Sequence, residues 1–281
     1  MRRNPRTPSS ANADSGEGLA LMLKPQRGIC CAGCPHRAAY VVVKDVIRRG
    51  RGHVICGEAG CPAVGHVHPA ATACPGGQAE LMSMYNKPVP QGTPEEPGSV
   101  VCAHFVLDAD VAADDGTRFG AEQLAGEGAC AILCVMASSK VFLSEGAVTD
   151  LGRHLQRLGY SSIALADPLD TAGTGDMLRE LVEAGGVHAL VFASPCAQLQ
   201  RTAILAPAEV ERVSCVGCMR CVQITACPAL SFRPPAAFID PDACAGCDLC
   251  SDYCRTRVIL TPRADMTPAQ RHAERLAAAG A

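Results

Sequence analysis

Eighteen cysteines stand in a chain of 281 residues, and eight of them crowd into one stretch near its end. The first run reads Cys215-x2-Cys218-x2-Cys221-x5-Cys227-Pro228, and the second Cys244-x2-Cys247-x2-Cys250-x3-Cys254. Three thiols at x2-x2 spacing let one short loop turn each sulfur toward a different iron of a [4Fe-4S] cube. A zinc ribbon needs only two cysteine pairs, and a disulfide scaffold has no use for a doubled triplet. The chemistry this stretch suits is single-electron carriage by iron–sulfur clusters.

The fourth cysteine of each run lies too close in sequence to close its own cube comfortably. In bacterial two-cluster ferredoxins that cysteine ligates the other cluster. This assigns Cys215, Cys218, Cys221 and Cys254 to one [4Fe-4S] centre, and Cys244, Cys247, Cys250 and Cys227 to a second. The expected carrier is a small α+β two-cluster domain over residues 206–262. A second group of cysteines lies far upstream, in Cys31-Ala32-Gly33-Cys34-Pro35-His36-Arg37 and in Cys56-Gly57-Glu58-Ala59-Gly60-Cys61. Alone, Cys31-x2-Cys34 fits a thiol redox pair, half a zinc site or a pair of cluster ligands. Cys61 as a third partner moves the reading toward metal. His66 and His68 sit in a proline-flanked loop and read as surface or packing residues.

These groups need elements to hold them. Residues 1–27 are rich in Arg, Pro, Ser, Asn and Gly and read as a flexible tail. Tyr40, Val43 and Ile47 mark a helical stripe that ends at Gly50 and Gly52, and a strand follows at about 53–55. A short helical piece is expected around 78–85 and a linker over 91–99. From Val100 the pattern alternates between strands and helices. Strands are expected at 100–107, 129–137, 162–166 and 187–193. Helices are marked by Val148, Leu151, Leu155 and Leu158, and by Met177, Leu178, Leu181 and Val182 behind a Thr174 cap. Such alternation predicts an α/β domain over 28–205 with a parallel sheet and helices on both faces. Ligands then belong at the carboxyl ends of the strands, where Asp167-Pro168 and Ser194-Pro195-Cys196 lie. The last segment, 263–281, reads as a solvated terminal helix with Thr267 as N-cap and Pro268 behind it.

Composition narrows the partners. Lys+Arg number 25 against Asp+Glu 28, there is no tryptophan, and aromatics make up 4%, so there is neither a basic stripe nor a stacking surface for nucleic acid. The longest apolar run is too short to span a membrane. No export signal follows the basic start, so the cysteines read as reduced thiols of a cytoplasmic protein.

Taken together these residues resemble the 2-oxoacid:ferredoxin oxidoreductases, in particular the C-terminal half of the large subunit of the indolepyruvate enzyme. Cys31-Ala32-Gly33-Cys34-Pro35-His36-Arg37 is similar to the family's Cys-Pro-Gly-Cys-Pro-His-Arg. Gly57-Glu58-Ala59-Gly60-Cys61 is similar to its Gly-Asp-Ile-Gly-Cys, and Cys221-x5-Cys227-Pro228-Ala229 repeats its unusual first ferredoxin half. The resemblance implies a thiamine-diphosphate-type domain with a proximal third [4Fe-4S] cluster on Cys31, Cys34, Cys61 and Cys196. It also implies thiamine diphosphate with Mg²⁺, for which Gly57, Gly60, Asp114, Asp115 and Ser138 are the matching candidates, with Asp108 and Asp110 nearby. Where the family carries Asp-Asn after its next strand, this chain runs Cys134-Val135-Met136-Ala137-Ser138-Ser139. The domain that binds the thiamine pyrimidine is missing, so the resemblance implies partner oxidoreductase subunits, a ferredoxin-like electron acceptor, and no activity of the chain alone. The alternative is an electron-relay or scaffold subunit of another redox complex, its thiamine fold degenerate. Cys30, Cys56, Cys74, Cys102, Cys130 and Cys134 are left as small apolar residues.

Overall fold

The computed structural model describes residues 30–48, 52–57, 61, 67–73, 100–124, 130–139, 141–144, 146–199 and 205–280. The expected tail at 1–27, the helical piece at 78–85, the linker at 91–99, Gly60, His66 and Cys74 lie outside them.

Five parallel strands form the sheet of the first unit: β1 (Gly52–Gly57), β2 (Val100–Leu107), β3 (Cys130–Ala137), β4 (Ser162–Ala166) and β5 (Gly186–Ala193). Their order is β1-β2-β3-β5-β4, so β5 returns to lie between β3 and β4. The central strands are continuous apolar runs because both of their faces are covered. On one face α1 (Pro35–Ile47) and α5 (Thr171–Ala184) pack over Phe105, Ile132, Met136, Leu190 and Phe192. Tyr40 of α1 stacks on Phe105 of β2 with ring centroids 4.0 Å apart. On the other face α2 (Asp108–Ala112) and α4 (Ala147–Arg157) cover Cys102, Leu133, Val135 and Val191, with Tyr160 and Phe119 closing the layer. A four-residue α3 (Ala121–Leu124) lies between α2 and β3. Cys56, Cys102, Cys130 and Cys134 are buried in these two layers. Burial pushes Cys102 up to about 12 and Cys134 higher still, so both stay neutral thiols that fill space.

Two local expectations change. Asp170, not Thr174, caps α5, accepting from the Gly173 N–H at 3.1 Å, while Thr174 is buried inside the first turn and donates to the Asp167 carbonyl at 2.7 Å. The terminal helix α8 (Pro268–Ala279) has the expected start, with Thr267 and Gln270 completing a capping box. It is not solvated all round. Arg275, Ala278 and Ala279 are buried, and Arg275 and His272 both reach Asp167 at the carboxyl end of β4. A charge pair and an alanine face are a weak signal in sequence, which is why this docking was not legible there.

Residues 205–280 build the second unit around two small antiparallel ladders. β6 (Glu209–Val210) pairs with β9 (Ile259–Leu260), and β7 (Leu230–Arg233) pairs with β8 (Ala236–Ile239). Helices α6 (Arg220–Thr225) and α7 (Leu249–Asp252) each follow a cysteine loop. Val210, Leu230, Ile239 and Ile259 form its core, and cysteines of both runs pack against them. No helix among the described residues is long and apolar enough to cross a membrane.

Candidate metal centres

The two cysteine triplets adopt one local design, repeated. Each begins in a loop and runs into a short helix, α6 or α7. Gly217 (φ 65°) and Gly246 (φ 64°) precede the second cysteine, and Met219 (φ 58°) and Asp248 (φ 64°) follow it. Left-handed residues on either side of one position curl a loop into a concavity of backbone N–H groups, a turn that suits phosphate and iron–sulfur groups. The upstream segment shares the first half of this turn, its next residue being Pro35 at the start of α1. Gly33 (φ 74°) precedes Cys34, and a Cβ there would stand 2.5 Å from the Ala245 Cβ. Glycine is therefore needed at Gly33 both for its backbone and for the close approach of the two loops.

Neighbouring thiols influence one another across these loops, and Cys221 is felt at Cys250 as well as within its own run. Burial pushes the Cys221 thiol up, and Cys254, Cys218 and Cys215 are the thiols close enough to add to it. Burial likewise pushes Cys250 well up and Cys247 up to about 12. Cys227 and Cys244 adjoin both. Those four thiols line one pocket, shared with Arg37, Ala32 and Gly33. Burial pushes Cys196, just past β5, up to about 11, with Cys34, Cys61 and Cys31 as its neighbouring thiols. The Val258 N–H donates to the Cys254 sulfur at 3.3 Å, a hydrogen bond of the kind that tunes cluster potentials. Among the described residues no three Cys, His, Asp or Glu side chains are drawn in far enough to hold a single metal ion.

One neighbour of these sets was left among the spare thiols by sequence. Cys30 is 1% exposed, and its thiol hydrogen-bonds with that of Cys34. This contact holds Cys30 below the usual thiol range and helps push Cys34 well above it. The adjacent pair Cys30-Cys31 was the signal available.

Arg37 joins the two units. It is 1% exposed, and one guanidinium nitrogen donates to the carbonyls of Thr225 (2.6 Å) and Ala226 (2.7 Å) at the end of α6. The other terminal nitrogen donates to the Cys31 carbonyl at 3.1 Å. Its charge is felt at Cys30, Cys31 and Cys34 on one side and at Cys227 on the other. Around it Ala32, Ala229 and Ala245 pack as a patch of small side chains beside Cys227 and Cys244. His68 adds a second tie, its Nε2 lying 2.7 Å from the Gln223 carbonyl of α6, so this histidine is engaged in docking. Asp248 is held by Arg263 in a buried bidentate pair at 2.7 and 2.9 Å, which fixes the loop beside Cys247.

Among the described residues, those matched to thiamine diphosphate do not converge. The Asp114 carboxylate accepts from its own loop, from the N–H groups of Gly116 (3.0 Å), Arg118 (3.2 Å) and Phe119 (2.9 Å). Its neighbour Tyr160 lies before β4, whereas Ser138 lies after β3, so the two candidates sit toward opposite ends of the sheet. Asp115 is exposed and caps Thr117. Gly57 (φ 75°) is pressed on β2, where a Cβ would meet the Phe105 carbonyl at 2.1 Å. Ser138 Oγ is 2.8 Å from His36 Nε2. Burial alone holds His36 down to about 4, so the ring is neutral. Besides Asp167, which is paired with Arg275, an acid at the strand ends is Asp108. It is 3% exposed, with Oδ2 unpartnered, and burial pushes it up to about 6, beside the Ser138 backbone.

No family model matches the chain. It is similar to curated proteins named indolepyruvate oxidoreductase subunit IorA. The protein of that name from Archaeoglobus fulgidus is 25% identical over 264 residues, covering 86% of this chain and 41% of that protein. Those from Thermococcus kodakarensis and Pyrococcus abyssi are 30% and 31% identical over 105 residues, which is 34% of this chain and 16% of each relative. This chain thus spans well under half the length of the relatives it matches, and over most of its own length it resembles part of subunit IorA of the 2-oxoacid:ferredoxin oxidoreductase family.

Proposed function

We propose that this chain is an iron–sulfur electron-transfer subunit of an indolepyruvate:ferredoxin oxidoreductase-type complex. Residues 206–262 would be a two-[4Fe-4S] ferredoxin-type domain, and Cys31, Cys34, Cys61 and Cys196 would hold a third cluster. The observation that supports this reading is the closeness of these thiols on adjoining loops, Cys221 beside Cys254, Cys218 and Cys215, Cys250 beside Cys247, Cys227 and Cys244, and Cys196 beside Cys34, Cys61 and Cys31. The clusters would supply one-electron carriage, at potentials set by burial and by hydrogen bonds to sulfur. The residues of the chain do the rest. Cysteines at three Cys-x-Gly-Cys turns hold and orient the groups. Small side chains at Ala32, Gly33, Ala229 and Ala245 let the upstream loop approach the Cys244–Cys250 loop. Arg37 places a fixed positive charge between those two sets, where it favours thiolate over thiol and stabilises reduced, more negative clusters. Cys215, Cys218, Cys221 and Cys254 form the outermost set, Cys218 being exposed.

A second reading concerns the thiamine diphosphate. Asp114 accepts three backbone N–H groups of its own loop and Ser138 is engaged by His36, so these described residues do not together offer a site for a diphosphate with Mg²⁺. This favours a relay role, with 2-oxoacid chemistry, if the complex performs it, placed on partner subunits. Electron paramagnetic resonance of the anaerobically reduced chain tests the main reading. Three signals are expected, and replacing Cys34, Cys218 or Cys247 by alanine should each remove a different one. A spectrum with two signals, unchanged in Cys34→Ala, would overturn the third cluster.

A further inference from the structure

The duplicated cysteine module carries its own internal comparison. Cys215-Val216-Gly217-Cys218 corresponds, position for position, to Cys244-Ala245-Gly246-Cys247. In the second loop Ala245 is buried where the loop docks on the α/β unit beside Ala32. In the first loop the corresponding Val216 is 66% exposed, and Val213 just before it is 99% exposed. Cys218 is the exposed thiol among the described cysteines, while its counterpart Cys247 is half-buried. Single exposed valines are ordinary. Two of them beside an exposed ligand thiol, on a loop whose twin is a docking loop, are not.

Charge points the same way. Arg212, Arg220, Arg255 and Arg257 flank the first set and are all exposed, against two exposed acids, Glu209 and Glu211, on the same stretches. None of the four arginines has a carboxylate at ion-pair distance among the described residues. Asp240 and Asp242 instead flank the second set, Asp252 stands between Cys250 and Cys254 and accepts a hydrogen bond from Thr171 of α5, and Asp248 is neutralised by Arg263. A chain of net charge −3 therefore turns a positive face outward at the loop that carries Cys218. We propose that this face is the docking surface for an acidic electron-carrier protein. Val213 and Val216 form its apolar centre, and the four arginines steer and orient a carboxylate-rich rim. One electron crosses per encounter, gained by one protein as the other loses it, and no bond is made or broken. This inference rests on the reading that Cys215, Cys218, Cys221 and Cys254 hold a cluster.

The test uses the whole chain, purified anaerobically, with an acidic [2Fe-2S] ferredoxin as probe. Binding is measured by titration calorimetry, and electron exchange is followed separately with the ferredoxin and with a small dye. Binding should weaken about tenfold or more between low and physiological salt, because exposed charges are screened. Arg220→Glu with Arg255→Glu, both at exposed positions, should weaken it by about tenfold again, and Val216→Asp likewise, with iron content and dye exchange unchanged. Equal binding by the parent and the arginine variant, or binding indifferent to salt, would overturn the docking surface. Arginine-dependent binding by a chain with no iron on the first set would leave the surface standing and refute the cluster reading instead.

Discussion

Replacing Arg37 by methionine is the perturbation that bears on the largest number of contacts at once. The side chain is fully buried and makes three hydrogen bonds to carbonyls, two of them at the end of α6 and one at Cys31. A hydrogen bond from a charged donor contributes about 1.5–3 kcal/mol. A buried carbonyl left without a donor costs about 1–3 kcal/mol. The flexible methionine stem recovers part of the packing, and water can reach the Ala226 carbonyl. The expected net loss is therefore about 3–5 kcal/mol, close to the cost of breaking a buried charged interaction. Arg37→Lys keeps the charge but not the fork that reaches both units, and should lose about half as much. Equilibrium denaturation of the anaerobic chain, followed by cluster absorption and by far-ultraviolet circular dichroism, reads both effects. In the parent the two probes should move together. In Arg37→Met the absorption should be lost at lower denaturant, because the clamp between the units is gone. Removing a positive charge also makes reduction harder, so the centres beside it should shift to lower potential. A variant within about 0.5 kcal/mol of the parent, with coincident probes, would refute the reasoning, since that is the size of an ordinary surface substitution.

Four further outcomes are expected. Asp248→Ala leaves Arg263 charged and unpaired in a site where both side chains are nearly inaccessible, and should cost about 3–5 kcal/mol in denaturation and release iron from the Cys227 set first. Asp108 is pushed above its unfolded value, to about 6, so its contribution is present at acid pH and is lost as pH rises through that value. The melting temperature of Asp108→Asn relative to the parent should therefore climb between about pH 4 and pH 6 and stay level above that; a flat difference throughout would contradict the burial argument. Cys102→Ala should keep the full iron content and cost on the order of 1 kcal/mol, whereas Cys196→Ala should lose about four irons by colorimetric assay. A strong iron chelator should unfold residues 205–280 before the sheet, seen as earlier hydrogen exchange in that unit, because ligand binding there is folding energy.

Much of this architecture was legible in the chain. The strand at 100–107 is read from an apolar run broken only by His104, because a parallel strand covered on both faces has little polar face to disguise it, whereas 162–166 is an edge strand, half-exposed, and is read from its place between a helix and Asp167-Pro168. The doubled triplet at 215–254 stands out in the sequence because cluster ligands need fixed spacing, whereas Cys31, Cys34, Cys61 and Cys196 were grouped only by what the resemblance implies. What was not legible depends on tertiary approach. The buried Arg37 clamp, the Asp248–Arg263 pair and the docking of α8 on Asp167 join residues far apart in sequence, with no periodicity to announce them. That Asp114 closes its own loop was hidden for a similar reason. A carboxylate in an Asp-Asp-Gly turn can as well close its own loop as hold a cation, and sequence does not say which backbone N–H groups will reach it.

The most direct measurement is iron, acid-labile sulfide and zinc per chain, with thiamine diphosphate counted on the same anaerobic sample. About twelve irons and as many sulfides are expected, with zinc and thiamine diphosphate near zero. About eight irons with one zinc would turn the Cys31, Cys34, Cys61 and Cys196 site into a structural centre, and zinc without sulfide would contradict the account as a whole.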